Sequence, residues 1–376
     1  MFTPPLYKQR YQFVKDLVEK HQPRKVADLG CADCSLLWTL KFCKCIEELV
    51  GLDISEYEMK DNMHRLAPLP CDYLQPSTRY FSVTMYQGSV AVKDPVLLNF
   101  DMVSSIELIE HLESAELEMF PEVVFGFMAP ALVVISTPNF DFNHLLPKST
   151  LFRHPDHKFE WRRVEFQNWG LNVADRYDYS VEFTGVGSPP ADAEDVGFCT
   201  QIAVFTRNYM ETVEMVNNKS GTKHVYKTVF QIVHPSLQDE KYLRIAVVNE
   251  TMHQVERIKR SLWNDGRPVE KEGDPQHLNT ERKHCPFSDA NKWRKNYAPS
   301  EAETNAQKAG CGPVLRKNKV YIPLQYLFCI PKLQQLCGTF EVLLKMIAGK
   351  IHLNHDGSAV KVKVEVDHDA SLISES

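Results

Sequence analysis

An α/β fold built on one mainly parallel sheet follows from three features of the sequence. Short apolar, β-rich runs alternate with amphipathic segments from about residue 20 to 207. The first five runs are spaced for βαβ crossovers. Two more follow with only a Gly/Pro-rich connection between them, which makes them a hairpin. The expectation is a seven-stranded sheet, parallel through its first five strands and closed by a late antiparallel pair.

The five crossover strands are Lys25 to Leu29 (KVADL), Glu48 to Asp53 (ELVGLD), Val83 to Gln87 (VTMYQ), Phe100 to Ile106 (FDMVSSI) and Ala131 to Ser136 (ALVVIS). The hairpin strands are Tyr179 to Thr184 (YSVEFT) and Thr200 to Phe205 (TQIAVF), joined through GVGSPPADAEDVG. This is the arrangement of Rossmann-like class I methyltransferases, a likeness of fold that by itself assigns no chemistry. These elements place a first domain over residues 1–207. Beyond it, HVYKTVFQIVHP and YLRIAVVNE both read as strands and define a β-rich extension over 208–255. Residues 256–319, mostly polar and charged and broken by Gly and Pro, read as a flexible linker. A last segment, 320–376, opens with an apolar stretch from Val320 to Ile347 that is expected to dock back on the main domain. No internal repeat is evident.

Bulk properties narrow the function classes. With 376 residues, 43% apolar and 24% charged, the chain has the composition of a soluble globular protein. A formal charge of -6 argues against nucleic-acid binding through a global positive field, so any such contact has to be local. The start MFTPPLYKQRYQF carries no secretory signal, and no stretch is apolar enough to span a membrane. Ten cysteines in a chain of this length are too sparse for a disulfide framework, which suggests a reducing compartment. Cys31 and Cys34 form a C-x-x-C, but no second pair completes a zinc site.

The first strand runs into Asp28-Leu29-Gly30-Cys31-Ala32-Asp33-Cys34-Ser35 and then an amphipathic helix. Such a loop lets a ligand approach backbone amides at Gly30. The second strand ends in Asp53, where a carboxylate would accept hydrogen bonds from both hydroxyls of an adenosine ribose. Gly88-Ser89, after the third strand, is placed to flank the adenine. A plain tight turn explains the loop alone; the pairing with Asp53 favours the ligand. A dinucleotide oxidoreductase is disfavoured because the G-x-G-x-x-G series is absent.

After the fourth strand, Glu107-Leu108-Ile109-Glu110-His111 sets two carboxylates and an imidazole at i, i+3 and i+4, aimed at one volume. The carboxyl end of a sheet strand is where open α/β folds place active sites. A solvated polar turn is the bland alternative. A second group follows the fifth strand and the loop STPNFDFN, in Asp156-His157-Lys158-Phe159-Glu160-Trp161. His154 lies three residues before His157, and spacing does not choose between them. Phe152, Arg153, Lys158, Arg162 and Arg163 are candidates for lining an RNA groove, or ordinary surface residues.

ELIEHL and DHKFEW, together with DLGC, STPN, FTGVG and GFCTQI, closely resemble the Hen family of small-RNA 2'-O-methyltransferases. The resemblance covers about residues 5 to 207; the remainder is only loosely similar to the vertebrate members. It implies that Glu107, Glu110, His111 and His157 are both the catalytic residues and the ligands of one divalent metal, Mg²⁺ or Mn²⁺, with His154 outside the set. It also implies that Gly30, Asp53 and Ser89 bind S-adenosylmethionine. Ala32 departs from the usual second glycine of that loop. The implied reaction is methylation of the 2'-hydroxyl at the 3' end of a small single-stranded RNA. An ion chelating the 2' and 3' oxygens of a terminal ribose would select a free 3' end without reading bases. In an animal setting the resemblance implies Piwi-interacting RNAs presented by a Piwi-class Argonaute protein, in the cytoplasm or its RNA granules, with the enzyme a monomer. Plant members reach duplexes through additional N-terminal RNA-binding domains, which the short stretch before residue 25 does not accommodate. The competing expectations are a metal-independent methyltransferase of a protein or small molecule, and an RNA-binding scaffold without activity.

Overall fold

Every strand of the first five carries apolar side chains on both faces, so the sheet they form has to be covered on both sides. The computed structural model describes residues 2–146, 152–208, 223–265, 312–316 and 318–363, and the chain divides into two compact units, 1–72 with 79–235 and 73–78 with 236–376.

In the first unit, helix α1 (Leu6–His21) precedes β1 (Lys25–Leu29), followed by α2 (Ser35–Leu40), β2 (Glu48–Asp53), α3 (Glu56–Asn62), β3 (Ser82–Gln87) and β4 (Met102–Ile106). Helix α4 (Ser114–Pro121) continues as a π-helical turn, Glu122–Met128, before β5 (Leu132–Pro138), α5 (Arg163–Tyr177), β6 (Tyr179–Val186) and β7 (Thr200–Arg207). With β8 (Lys227–Val233) at one edge, strand order is β6-β7-β5-β4-β1-β2-β3-β8, with β1 to β5 parallel and β6, β7 and β5 successively antiparallel. The chain reverses its direction of travel across the sheet between β1 and β4, the position where open α/β sheets form a ligand crevice.

The layers follow from residue alternation. Val26, Leu49, Val83, Met102 and Val134 pack with Val14, Val18, Leu36, Leu37 and Leu40 of α1 and α2. On the opposite face Ala27, Val50, Val103, Val133 and Phe205 pack with Phe120, Val124 and Phe125 around α4 and with Phe166 and Val173 of α5.

The expected sheet of seven strands has eight. Lys227–Val233 (β8) pairs antiparallel with β3 and covers what would otherwise be an open edge of backbone donors and acceptors.

In the second unit, Tyr242 to Glu250, expected as a strand, lies inside helix α6 (Glu240–Asp265). Its β-branched run suggested a strand, but Val247, Thr251, Val255 and Ile258 recur at helical spacing and are all buried. The same stripe carries the helix through residues 256–265, the start of the expected linker; 266–311 lie outside the described residues. Strands β9 (Val314–Arg316), β10 (Lys319–Pro323) and β11 (Ala359–Lys363) form a three-stranded antiparallel sheet with β10 central. Helices α7 (Leu324–Phe328), α8 (Pro331–Cys337) and α9 (Phe340–Ile347) lie between β10 and β11, and Val247, Ile322, Leu333, Leu343 and Val360 share one core. None of the described helices is long and apolar enough to cross a membrane.

Phe205 is fully buried, its ring centroid 4.8 Å from that of Phe125. Phe205→Ala should destabilise the first unit by about 3–5 kcal/mol, measured as a fall in the urea unfolding midpoint. A loss below about 1 kcal/mol would mean that the layer between the sheet and α5 is not the close-packed core described.

Candidate active site

At the end of β1 the backbone turns through Gly30, with φ +77°. A β-carbon there would lie 2.8 Å from Leu108 Cδ1, so the position demands glycine for its conformation and for its closeness to the β4 loop. The Gly30 and Cys31 amides donate to the Leu52 carbonyl at 2.8 and 3.2 Å, and the Ala32 amide to Asp53 Oδ2 at 2.8 Å. These amides tie the loop to the end of β2. Ala32 holds φ 39°, a left-handed conformation in a residue with a β-carbon. Asp53 Oδ1 accepts from the Ser55 amide at 2.8 Å, so both carboxylate oxygens are anchored by backbone and each keeps a further acceptor direction.

Ser89 is held on the neighbouring loop, its hydroxyl donating to Glu116 Oε1 at 3.1 Å and accepting from the Ala91 amide. A segment far along the chain fixes this loop. Asp94 is fully buried and accepts from the amides of Val225 and Tyr226 at 2.7 and 2.9 Å, with His224 Nδ1 at 3.0 Å. Burial opposes its ionised form, but these hydrogen bonds and the one from Val96 prevail and hold its carboxyl below the usual range. The Tyr226 hydroxyl donates to the carbonyls of Ser89 and Val92, while its ring closes over Gly88. Nothing in the local pattern at Gly88-Ser89 announces this clamp; Asp94 and Tyr226 are 132 residues apart.

Asp28, on β1 just before the Gly30 turn, is buried. Burial, followed by the charges of Asp53 and Asp33, pushes its carboxyl up to about 7 against the hydrogen bond from Ser104 Oγ at 2.7 Å.

Beyond β4, Glu107 adopts φ 54°, a strained conformation for a glutamate at the mouth of the sheet. Its amide donates to the Ser136 carbonyl at 3.1 Å, and its carboxylate takes the Ser136 hydroxyl at 3.1 Å and Arg10 Nη1 at 3.3 Å. Glu110 is fully buried. Thr137 donates to its Oε2 at 3.0 Å, and Oε1 has no partner among the described residues. Burial and then the Glu107 charge push the Glu110 carboxyl well above the ordinary range. His111 closes the turn, its pKa lowered by burial and then by His157.

The loop after β5 brings the second group. Lys158 donates its amide to the Glu110 carbonyl at 2.8 Å, joining the two motifs. The His111 and His157 ring centroids are 4.8 Å apart, and ring nitrogens of His111, His154 and His157 all lie within 4.8 Å of one another. His154, set aside by the resemblance, is therefore a close neighbour of the cluster. His157 Nδ1 sits 2.6 Å from Glu160 Oε1, which fixes the ring and leaves Nε2 for other use. Glu160 is buried in turn by the Arg153 amide and by Asn143 Nδ2, both at 2.6 Å. Arg153 does not line a groove as expected. Its guanidinium points inward to Asn143 Oδ1 and to the carbonyls of Asn139 and Cys199. Lys158 pairs with Glu113 and Arg162 with Asp141, whereas Arg163 is exposed.

The family model described as the HENMT1 C-terminal domain matches residues 241–364, within the second unit. A small RNA 2'-O-methyltransferase of Gallus gallus is 58% identical over 369 residues, covering 97% of this chain and 95% of its own. The corresponding protein of Drosophila melanogaster is 36% identical over 279 residues, covering 69% and 71%. Among solved structures, the crystal structure of small RNA methyltransferase HEN1 is similar with a TM-score of 0.52 at 32% identity, over 61% of this chain and 27% of that longer one.

Because Asp28 has its folded-state pKa raised from 3.8 to about 7, the unfolded chain releases a proton that the folded chain keeps between those values. Its contribution to stability therefore falls as pH rises from about 4 to 7 and is level above. Asp28→Asn, which cannot ionise, should gain on the parent protein by about 2–4 kcal/mol between pH 4.5 and 8 in urea titrations. A difference that stays constant with pH would show that Asp28 titrates normally.

Proposed function

This chain belongs to the family of small RNA 2'-O-methyltransferases, and from that premise we propose that it methylates the 2'-hydroxyl of the 3'-terminal nucleotide of single-stranded RNA, using S-adenosylmethionine and one divalent metal ion. The observation that carries the reading is the meeting of the two motifs at the carboxyl ends of β4 and β5, where the Lys158 amide reaches the Glu110 carbonyl and the His111 and His157 rings lie 4.8 Å apart. When bound, the ion supplies Lewis acidity that lowers the pKa of the ribose hydroxyl, and S-adenosylmethionine supplies the methyl group.

The donor set suits a divalent cation. Glu110 is fully buried and the Glu107 charge helps to push its carboxyl up, its Oε1 lacks a partner among the described residues, and His111 of the same turn lies 4.8 Å, ring to ring, from His157. A mixed oxygen and nitrogen set is more hospitable to Mn²⁺ than to Mg²⁺. In this reading Glu107, Glu110, His111 and the Nε2 of His157 hold the ion. Glu160 keeps His157 in that orientation. Asp53 takes the cofactor's ribose hydroxyls, Gly30 allows the cofactor close to backbone, and Ser89 flanks its adenine.

The same reading includes a Piwi-interacting RNA as substrate, a Piwi-class Argonaute protein presenting its 3' end, a monomeric enzyme and a cytoplasmic setting. Its support is the family and the local nature of any RNA contact in a chain of net charge -6.

Labelled methyl should pass to a synthetic single-stranded RNA with a normal 3' terminus and not to one ending in a 2'-deoxynucleotide. A chelator should abolish transfer, and Glu107→Ala, Glu110→Ala, His111→Ala or His157→Ala should each reduce it at least about 100-fold while cofactor affinity stays within about 3-fold. Transfer that survives both the chelator and these substitutions would instead indicate a metal-independent methyltransferase. Glu160→Gln should cost about 10- to 100-fold in metal affinity or turnover with cofactor affinity unchanged. An unaltered metal dissociation constant and turnover would remove Glu160 from the positioning of His157.

A further inference from the structure

Residues at the ends of β5, β6 and β7 and the start of α5 line a cavity of ≈ 330 Å³ that the chemistry above does not use. Phe183 and Phe198 contribute aromatic surface, and Phe198 is 38% exposed although it is large and apolar. Gln201 lines the cavity as well. Its Nε2 donates to the Pro138 and Trp161 carbonyls at 3.0 Å each, while its buried Oε1 has no partner among the described residues. At the rim, the exposed guanidinium of Arg163 makes no hydrogen bond or ion pair among the described residues. Asn139 joins this cavity to the active site, because its side chain holds the carbonyls of Val196 and Phe198 while its own carbonyl accepts from Arg153. Arg153 in turn donates to Glu160, the partner of His157.

A flat aromatic ring with N–H groups on its edge and a phosphate attached complements these features. The aromatic walls offer stacking, the lining is short of a donor for Gln201, and Arg163 offers a cation outside. The volume is at the small end for ligand pockets, enough for a base and not for a long side-chain array. We propose that this cavity is a nucleobase subsite, in which the base of the terminal nucleotide or of its neighbour stacks on Phe198 with a phosphate near Arg163. The proposal rests on the reading that RNA is the substrate. Stacking holds any base by its π-face, so such a subsite would grip the 3' end without imposing a sequence.

The test uses the full chain, with RNA affinity by fluorescence anisotropy and methyl transfer measured in parallel. The RNAs are one single strand and versions abasic at the last, the second-last or a distant internal position. Phe198→Ala should weaken binding of the normal strand by about 5- to 100-fold, the range for one stacked base, with Phe198→Tyr retaining it. One of the two terminal abasic strands should bind the parent protein with a similar loss and show no further loss with Phe198→Ala, as expected of partners in a single contact. Arg163→Ala should weaken every strand to the same extent. Equal affinity of Phe198→Ala and the parent protein for the normal strand, or the same loss on all abasic strands, would overturn the subsite. Normal anisotropy results without methyl transfer would leave the subsite standing and defeat the reading of the reaction; absence of RNA binding would overturn both.

Discussion

A carboxylate is costly to bury beside another, and the end of β4 holds such a pair, Glu110 fully buried and Glu107 partly so. Glu107 and Glu110 are kept together by a strained backbone at Glu107, by Ser136 and Thr137 at the end of β5, and by Arg10 reaching from α1. None of these partners neutralises Glu110, whose carboxyl is displaced upward by burial and by its neighbour. Much of the surrounding structure follows from this constraint. The parallel pairing of β4 with β5 sets the serine and threonine beside the glutamates, and the loop after β5 returns to Glu110 through the Lys158 amide.

The imidazole side is held by a buried polar network. His157, Glu160, Arg153, Asn143 and Asn139 are linked by hydrogen bonds from 2.5 to 3.0 Å that end on backbone carbonyls of Cys199, Val196 and Phe198. A network with most of its members satisfied fixes orientation better than isolated contacts do. Through it, the loop that precedes the hairpin strand β7 supports a histidine that belongs to a different loop. The Gly88-Ser89 turn depends on a distant contact as well, the buried Asp94 that gathers the backbone of residues 225 and 226 and seats Tyr226 on that turn.

The second unit has its own core and its own antiparallel sheet, and it corresponds to the region matched by the C-terminal family model. Its long helix illustrates how local preference yields to packing. Ile245-Ala246-Val247-Val248 has the character of a strand, yet Val247, Thr251, Val255 and Ile258 are buried as one stripe whose other half comes from β10, α8 and α9. No property of residues 242–250 alone indicates those partners.

The sequence by itself determined the parallel strands nearly to the residue, because buried β-runs ended by Gly, Asp or Pro are local signals. It also marked Gly30, Asp53, Ser89 and the E-x-x-E-H motif as candidates, and each follows or ends a parallel strand at its carboxyl end. Tertiary structure alone decided the rest. The pairing of the eighth strand required the edge of β3; the inward turn of Arg153 required the Asn143 side chain and the Asn139 carbonyl; and the nearness of His154 to His111 required the two loops to meet. Each joins residues whose separation along the chain carries no periodicity, so no local pattern records the pairing until the chain is packed.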